Sequence, residues 1–413
     1  MPSKLRGTTA PWNDVVVTAA LDGIRICDLT QFEAGPSCTE LLAFLGADVV
    51  KVEDPKRGDQ GRRLGMGPAD DSMYFLLLNL NKRSVTLNLK SDAGRELFGR
   101  LLPHFDVLVE NFTLGTMERF GLGWDVLHER FPELIYASVR GFGDSGPYAQ
   151  FKSFDMIGQA AGGAMSVNGD LDGPPQRLGV TLGDTGTGIH LAVGILAAFI
   201  QRQRTGEGQR VELSMQEAVM NYTRVAMLSH YLSGQPTLRR GNPLKYMSAD
   251  LYRCAGDGPN AYVYIVSPMP DMWDGVLKTI DRTDLIGDKE HANPAWRSQN
   301  WDAVHELVES WTSQRDKWTV MEALGANGVP CSAVYDTGDL LTHPHMRERG
   351  MVATIEHPKA GTFDMPGNPV RLSDSPTGVT RAPLLGEHNA EVYTELLGLD
   401  DAALARLAKD GVI

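Results

Sequence analysis

Cysteine is scarce in this 413-residue chain: Cys27, Cys38, Cys254 and Cys331 are scattered, with no CxxC pair. That spacing argues against structural zinc and against a disulfide framework, and fits reduced thiols in a cytoplasmic protein. Positive charge is in deficit, with 39 Lys and Arg against 52 Asp and Glu and a formal net charge of −13. Nucleic acid is therefore not an expected partner, and any polyanionic ligand needs a local cluster of cations. Long apolar runs are missing too. The longest, Ile189 to Ile200, is shorter than the ~20 residues that span a bilayer, so no membrane partner is expected. The start, MPSKLRGTTAPWNDVV, has no signal pattern and reads as a loose arm.

What is present is the texture of an α/β protein. Hydrophobic residues make up 42% and charged residues 22%, and the length implies two domains, one interrupting the other. From Gly23 to Phe142 short apolar runs alternate with helical spacing. Strands are expected at Ile24–Leu29, Asp48–Val52, Asp106–Val109 and Leu134–Val139. Helices are expected around Cys38, Leu41, Leu42 and Leu45, with Pro36 in the first turn, and over Asp92–Leu102. Single helices between strands predict a Rossmann-like parallel sheet, whose ligands lie beyond the carboxyl ends of the strands. The loops 31–36, 111–115 and 140–147 emerge there. No GxGxxG follows the first strand, so a dinucleotide is not indicated.

A helix over Gly188–Arg204, a strand at Arg210–Leu213 and a helix over Met215–Leu232 follow. The runs Leu251–Cys254 and Ala261–Val266 read as a hairpin around Gly256-Asp257-Gly258. Residues 1–235 with 375–413 are read as the large domain, 240–345 as a smaller α+β domain, and 346–374 as a connector.

One segment stands out chemically: Leu182-Gly183-Asp184-Thr185-Gly186-Thr187-Gly188. Asp184 precedes a long apolar helix on a glycine-rich turn, which suits an exposed carboxylate approached closely by a ligand. Asp before a helix is also an ordinary N-cap, and these residues alone leave both readings open.

The chain resembles the class III CoA-transferases, the formyl-CoA and oxalate CoA-transferase (CaiB/BaiF) family, over nearly its whole length. The blocks that carry the resemblance are GIRICDLTQFEAGPSCTELLAFLGADVVKVE, NKRSVTLNLK, VLVENFTLGTMERFG, ASVRGFGDSGPY, LGDTGTGIH, RTGEGQRVELSM, NGVPCSAVYD and LLGEHNAEV. The resemblance implies that Asp184 is a covalent nucleophile passing through aspartyl anhydrides and an aspartyl-CoA thioester, with the ionised form reactive at neutral pH. It implies Gln31 and Glu33 beside the thioester, with backbone N–H groups of that loop as oxyanion donors, and Asp155 at a second acidic position. Relatives carry Gln or Glu at the position of Glu33. For CoA it implies Ala34, Leu87, Lys90, Asn111, Phe112, Arg119 and Lys152.

Two departures qualify it. Asp54 stands where many relatives place a phosphate-binding Arg soon after Glu53, leaving Lys56 and Arg57 as substitutes. The consecutive glycines of the oxalate enzymes are replaced by Gly241-Asn242-Pro243-Leu244-Lys245-Tyr246-Met247, which points to a different acid, such as a larger dicarboxylate. The expected partners are an acyl-CoA donor, an organic acid acceptor, and a second subunit in an interlocked homodimer or heterodimer. CoA thioester enters as substrate; no tightly bound cofactor or metal is implied. The alternatives are a partner-dependent or non-catalytic subunit, and an α-methylacyl-CoA racemase, which the residue preceding Asp155 disfavours because it is Phe154 and not His.

Overall fold

The apolar runs of the first half pair as one sheet. In a computed structural model, which describes residues 19–65 and 71–413, the strands are β1 (Arg25–Asp28), β2 (Asp48–Glu53), β3 (Arg83–Thr86), β4 (Val107–Glu110), β5 (Ile135–Arg140) and β6 (Arg210–Ser214). Their order is β3-β2-β1-β4-β5-β6, every neighbouring pair parallel. The arm expected over residues 1–16 lies outside the described residues.

Successive residues of each strand enter opposite cores. Ile26, Val49, Val107 and Ile135 pack with Cys38 and Leu42 of the helix Ala34–Phe44 and with Leu191 and Ile195 of the helix Thr185–Thr205. Their neighbours Cys27, Val50, Leu108 and Tyr136 pack with Phe98, Leu101 and Tyr393 on the other face. Burial on both faces is why these strands read as continuous apolar runs. The strand order reverses between β1 and β4, which opens a crevice where the loops after those two strands part.

The local reading needs three revisions. β3 was not expected: it is an edge strand, and its Arg83 and Ser84 are satisfied by Asp48, Glu391 and Glu53 rather than by a core. The helix expected over Met215–Leu232 is broken into Met215–Thr223, a 3-10 turn Arg224–Met227, and Leu228–Ser233. The long helix starts at Thr185, three residues before Gly188.

Contacts divide the chain into two units. One takes in residues up to Ala164, Arg177–Val225 and Gly350–Ile413; the other takes in Met165–Gln176 and Ala226–Arg349. The second unit carries antiparallel β7 (Ala249–Arg253), β8 (Tyr262–Val266) and β9 (Cys331–Ala333) over a core that includes Trp273, Leu277, Trp301 and Val320. In the first unit, β10 (Val352–His357) and β11 (Gly361–Pro366) form an antiparallel hairpin within the stretch read as connector. Cys27, Cys38 and Cys254 are buried, Cys331 is half-buried, and all four are free thiols.

Candidate active site

The loop after β1 turns sharply, with Phe32 in the left-handed region at φ 63°. A non-glycine residue there costs about 1 kcal/mol or more and persists only when its surroundings hold it. They do. The Gln31 N–H donates to Asn111 Oδ1 at 2.9 Å, Asn111 Nδ2 returns a bond to the Gln31 carbonyl at 2.7 Å, and the Phe32 N–H donates to Asp59 Oδ1 at 3.1 Å. These bonds commit the backbone N–H groups of Gln31 and Phe32, so the expectation that they serve an oxyanion is withdrawn. The Glu33 and Ala34 N–H groups, at the start of the helix Ala34–Phe44, need no partner from that helix.

Asp184 occupies the N-cap position of the helix Thr185–Thr205, yet its side chain caps nothing. Another carboxylate holds the turn that leads into that helix. Asp155 Oδ1 accepts from the Gly183 N–H at 2.8 Å and the Asp184 N–H at 3.3 Å, while its Oδ2 accepts from Gln159 Nε2 at 2.7 Å. Asp155 therefore positions the turn and is not part of the cavity wall. The glycines serve protein packing rather than ligand approach. A Cβ at Gly183 would lie 2.4 Å from the Asp155 carbonyl oxygen, and one at Gly188 would lie 2.6 Å from that of Ala34.

Asp184, Glu33, Gln31, Ala34, Asn111, Phe112 and Lys152 line one cavity of about 250 Å³. Arg57, Leu87 and Lys90 line a neighbouring cavity of about 320 Å³, and Gln31, Gln60 and Phe112 line both. Lys56 and Arg119 are exposed and line neither; the Arg119 guanidinium donates to Thr116 Oγ1 at 2.8 Å. Lys90 pairs with Asp54 at 3.2 Å, and Asp54 also accepts from the N–H groups of Lys56 and Arg57. An open groove of about 700 Å³ in the second unit, bordered by Asp250, His305 and Glu309, contains none of the candidates.

Sequence reasoning missed three residues that act on the site. Asp59 holds the Phe32 turn, as described. Tyr74 and Thr185 hold Glu33, the Tyr74 hydroxyl donating to Oε2 at 3.2 Å and the Thr185 hydroxyl to Oε1 at 2.9 Å. Thr185 follows the singled-out Asp184, the one signal that pointed near it; nothing local marked Tyr74 or Asp59.

Burial and then the neighbouring carboxylates of Glu33 and Asp155 push Asp184 up to about 7. That keeps a protonated fraction in the neutral range, where the resemblance implied a carboxylate ionised as usual. Burial, with Glu33 and Asp184 nearby, drives the Tyr74 phenol far above its usual range, so it stays a neutral donor. Arg140, also on the wall, is committed to Glu110 at 2.6 Å and to Asp144 at 3.1 Å.

The sequence matches CoA-transferase family III over residues 21–389. The chain belongs to that family. A formyl-CoA:oxalate CoA-transferase of Streptomyces avermitilis is 43% identical over 96% of this chain and 100% of its own length. One from Streptomyces coelicolor is 44% identical over 95% and 99%. A crystal structure of a CaiB/BaiF family protein from Brucella suis superposes with a TM-score of 0.81 at 31% identity, covering 92% of this chain and 100% of that one.

This family III chain is thus a CoA-transferase, an enzyme that uses CoA thioesters as substrates. His190 is packed, its Nδ1 2.9 Å from the Gly186 carbonyl oxygen and its Nε2 2.9 Å from Asn221 Nδ2. Among the described residues no helix is long and apolar enough to cross a membrane, and no group of three or more His, Cys, Asp or Glu could hold a metal ion.

Proposed function

We propose that the chain transfers CoA from an acyl-CoA donor to an organic acid acceptor through the carboxyl of Asp184. The Asp184 carboxylate attacks the donor thioester carbonyl, forming a mixed anhydride as the C–S bond breaks and CoA thiolate leaves. The thiolate attacks the Asp184 carbonyl of that anhydride, releasing the donor acid and leaving an aspartyl-CoA thioester. The acceptor carboxylate attacks this thioester, expelling CoA thiolate and forming a second anhydride. Attack of the thiolate on the acceptor's acyl carbon yields the new acyl-CoA and restores Asp184. No bond is surrendered to water: the Asp184 oxygen that leaves on the donor acid is replaced by one from the acceptor.

The observation that carries this reading is the Asp184 side chain, free of any cap bond at a helix start and lining a cavity with Glu33. CoA lies along the two cavities, its phosphates near Arg57 and Lys90, its pantetheine passing Phe112 toward Asp184. Asp54 holds Lys90 between substrates, so that phosphate exchanges one anion for another. An interlocked dimer is supported by exposed apolar residues, Ile189, Val193 and Ile200 on the long helix and Met220 and Val225 after it, which a second subunit would cover.

The test is intact and peptide mass spectrometry of the enzyme after mixing with formyl-, acetyl- and succinyl-CoA. A CoA adduct that maps to Asp184, is removed by hydroxylamine and is absent in Asp184→Ala supports the mechanism. Adduct on another residue, or none with any donor, overturns it. Activity only with a co-purified homologue would favour the partner-dependent subunit.

A further inference from the structure

The two carboxyl groups in the catalytic cavity are unequal in one respect. Asp184 loses its charge when it becomes an anhydride or thioester; Glu33 does not. Glu33 is 6% exposed, and both of its oxygens are held by neutral hydroxyls, those of Tyr74 and Thr185. Among the described residues no Lys or Arg pairs with it. Of the cations that border the cavity, Arg140 is buried in its own ion pairs and Lys152 is exposed at the wall. Asp155, behind the Asp184 turn, adds further negative potential. When the acceptor reaches the aspartyl-CoA thioester, it therefore meets a cavity of about 250 Å³ that contains an uncompensated carboxylate.

We propose that Glu33 is a charge filter: the enzyme takes acceptor acids that bring a single negative charge into this cavity, and discriminates against short dianions of the oxalate class. The inference rests on the transferase reading above. The attacking carboxylate is required by the chemistry and is common to all acceptors. In oxalate the second carboxylate is bonded directly to the first, so both must enter. Two like charges in a small cavity repel by enough to cost about tenfold or more in rate. A longer dicarboxylate whose second charge stays near Lys152 and solvent escapes the penalty.

The discriminating pair of probes is oxalate and oxamate, the same skeleton with one carboxylate replaced by an amide. Enzyme is converted to the aspartyl-CoA form with whichever of the three donors labels Asp184, freed of donor by gel filtration, and mixed with either acid at pH 7.5. Loss of the adduct and formation of the new acyl-CoA are followed over a single turnover. The expected result is that oxamate reacts about tenfold or more faster than oxalate at equal subsaturating concentration. In Glu33→Gln the preference narrows to within about threefold, whereas Glu33→Asp, which keeps the charge, retains it.

Equal rates for oxalate and oxamate in the unaltered enzyme overturn the filter, as does a preference that survives Glu33→Gln in full. Should Glu33→Gln fail to fold, by its melting curve, the oxalate-to-oxamate ratio of the unaltered enzyme decides alone. Labelled Asp184 with no charge preference sinks only this inference. Absence of labelling with every donor sinks the Asp184 mechanism and this inference together.

Discussion

Asp28, at the end of β1, lies in a buried network with Lys51 and Lys82; a few residues further on, Glu33 shares a cavity with Asp184, and among the described residues no cation pairs with it. Burial alone would raise Asp28, but the Lys51 and Lys82 ammonium groups and a bond from Thr30 outweigh it and hold Asp28 down at about 2. Glu53, bound by Arg62 at 2.7 Å, is likewise lowered despite burial. Asp184 is raised to about 7 by burial and like-charged neighbours. The same residue type, in the same unit, is lowered by compensation and raised by its absence.

The comparison has opposite signs in stability. Asp28, lowered, favours the fold fully above the ordinary carboxylate range near pH 4, and that contribution is lost as pH falls through about 2. Asp184, raised, costs nothing below about pH 4; its penalty grows as pH rises and is complete above about 7.

Breaking the compensated side should have the largest effect. Lys51 donates to the Thr30 carbonyl at 2.6 Å and pairs with Asp59 at 2.8 Å, so Lys51→Met leaves buried Asp59 without its cation and Asp28 with Lys82 alone. Denaturant unfolding should show a loss of about 3–5 kcal/mol. On the uncompensated side, the rate of aspartyl-CoA formation should rise about tenfold between pH 6 and 8, with a midpoint near 7, as Asp184 ionises. Glu33→Gln removes one of the charges that raise Asp184 and should move that midpoint lower by about one pH unit; an unmoved midpoint breaks the coupling.

Asp184→Asn should stabilise the inactive protein by about 1–2 kcal/mol at pH 8, measured by thermal melting, and by almost nothing at pH 4.5. The smallest effect belongs to Tyr74→Phe, which removes one of two hydroxyl donors to Glu33. It should lower single-turnover transfer by about three- to tenfold without a change in melting temperature beyond a few degrees.

Legibility in the sequence followed burial pattern. β1, β2, β4 and β5 were visible because both faces of each are largely buried, which writes a short, mostly apolar run into the chain. β3 was not, since an edge strand opening with Arg and Ser satisfies those groups from afar. The hairpin β10–β11 shows only weak alternation, with exposed Thr354 and Glu356 beside buried Ile355 and His357. Within the site, Asp184 was found from its motif and the family blocks around it. Tyr74 and Thr185 reach Glu33 across 41 and 152 residues of chain, a separation no local pattern encodes.

The linear chain by itself determined the α/β class, the strands buried on both faces, the family, and the position of the carboxyl group at a helix start. Local propensity and side-chain periodicity are properties of neighbouring residues, and those survive in one dimension. Only the tertiary structure decided that this carboxyl leaves its own helix uncapped, that Asp155 holds the turn before it, and that its proton is held to about pH 7. Those outcomes depend on desolvation and on charges brought close by folding, quantities that exist only once the loops after β1 and before the long helix have met.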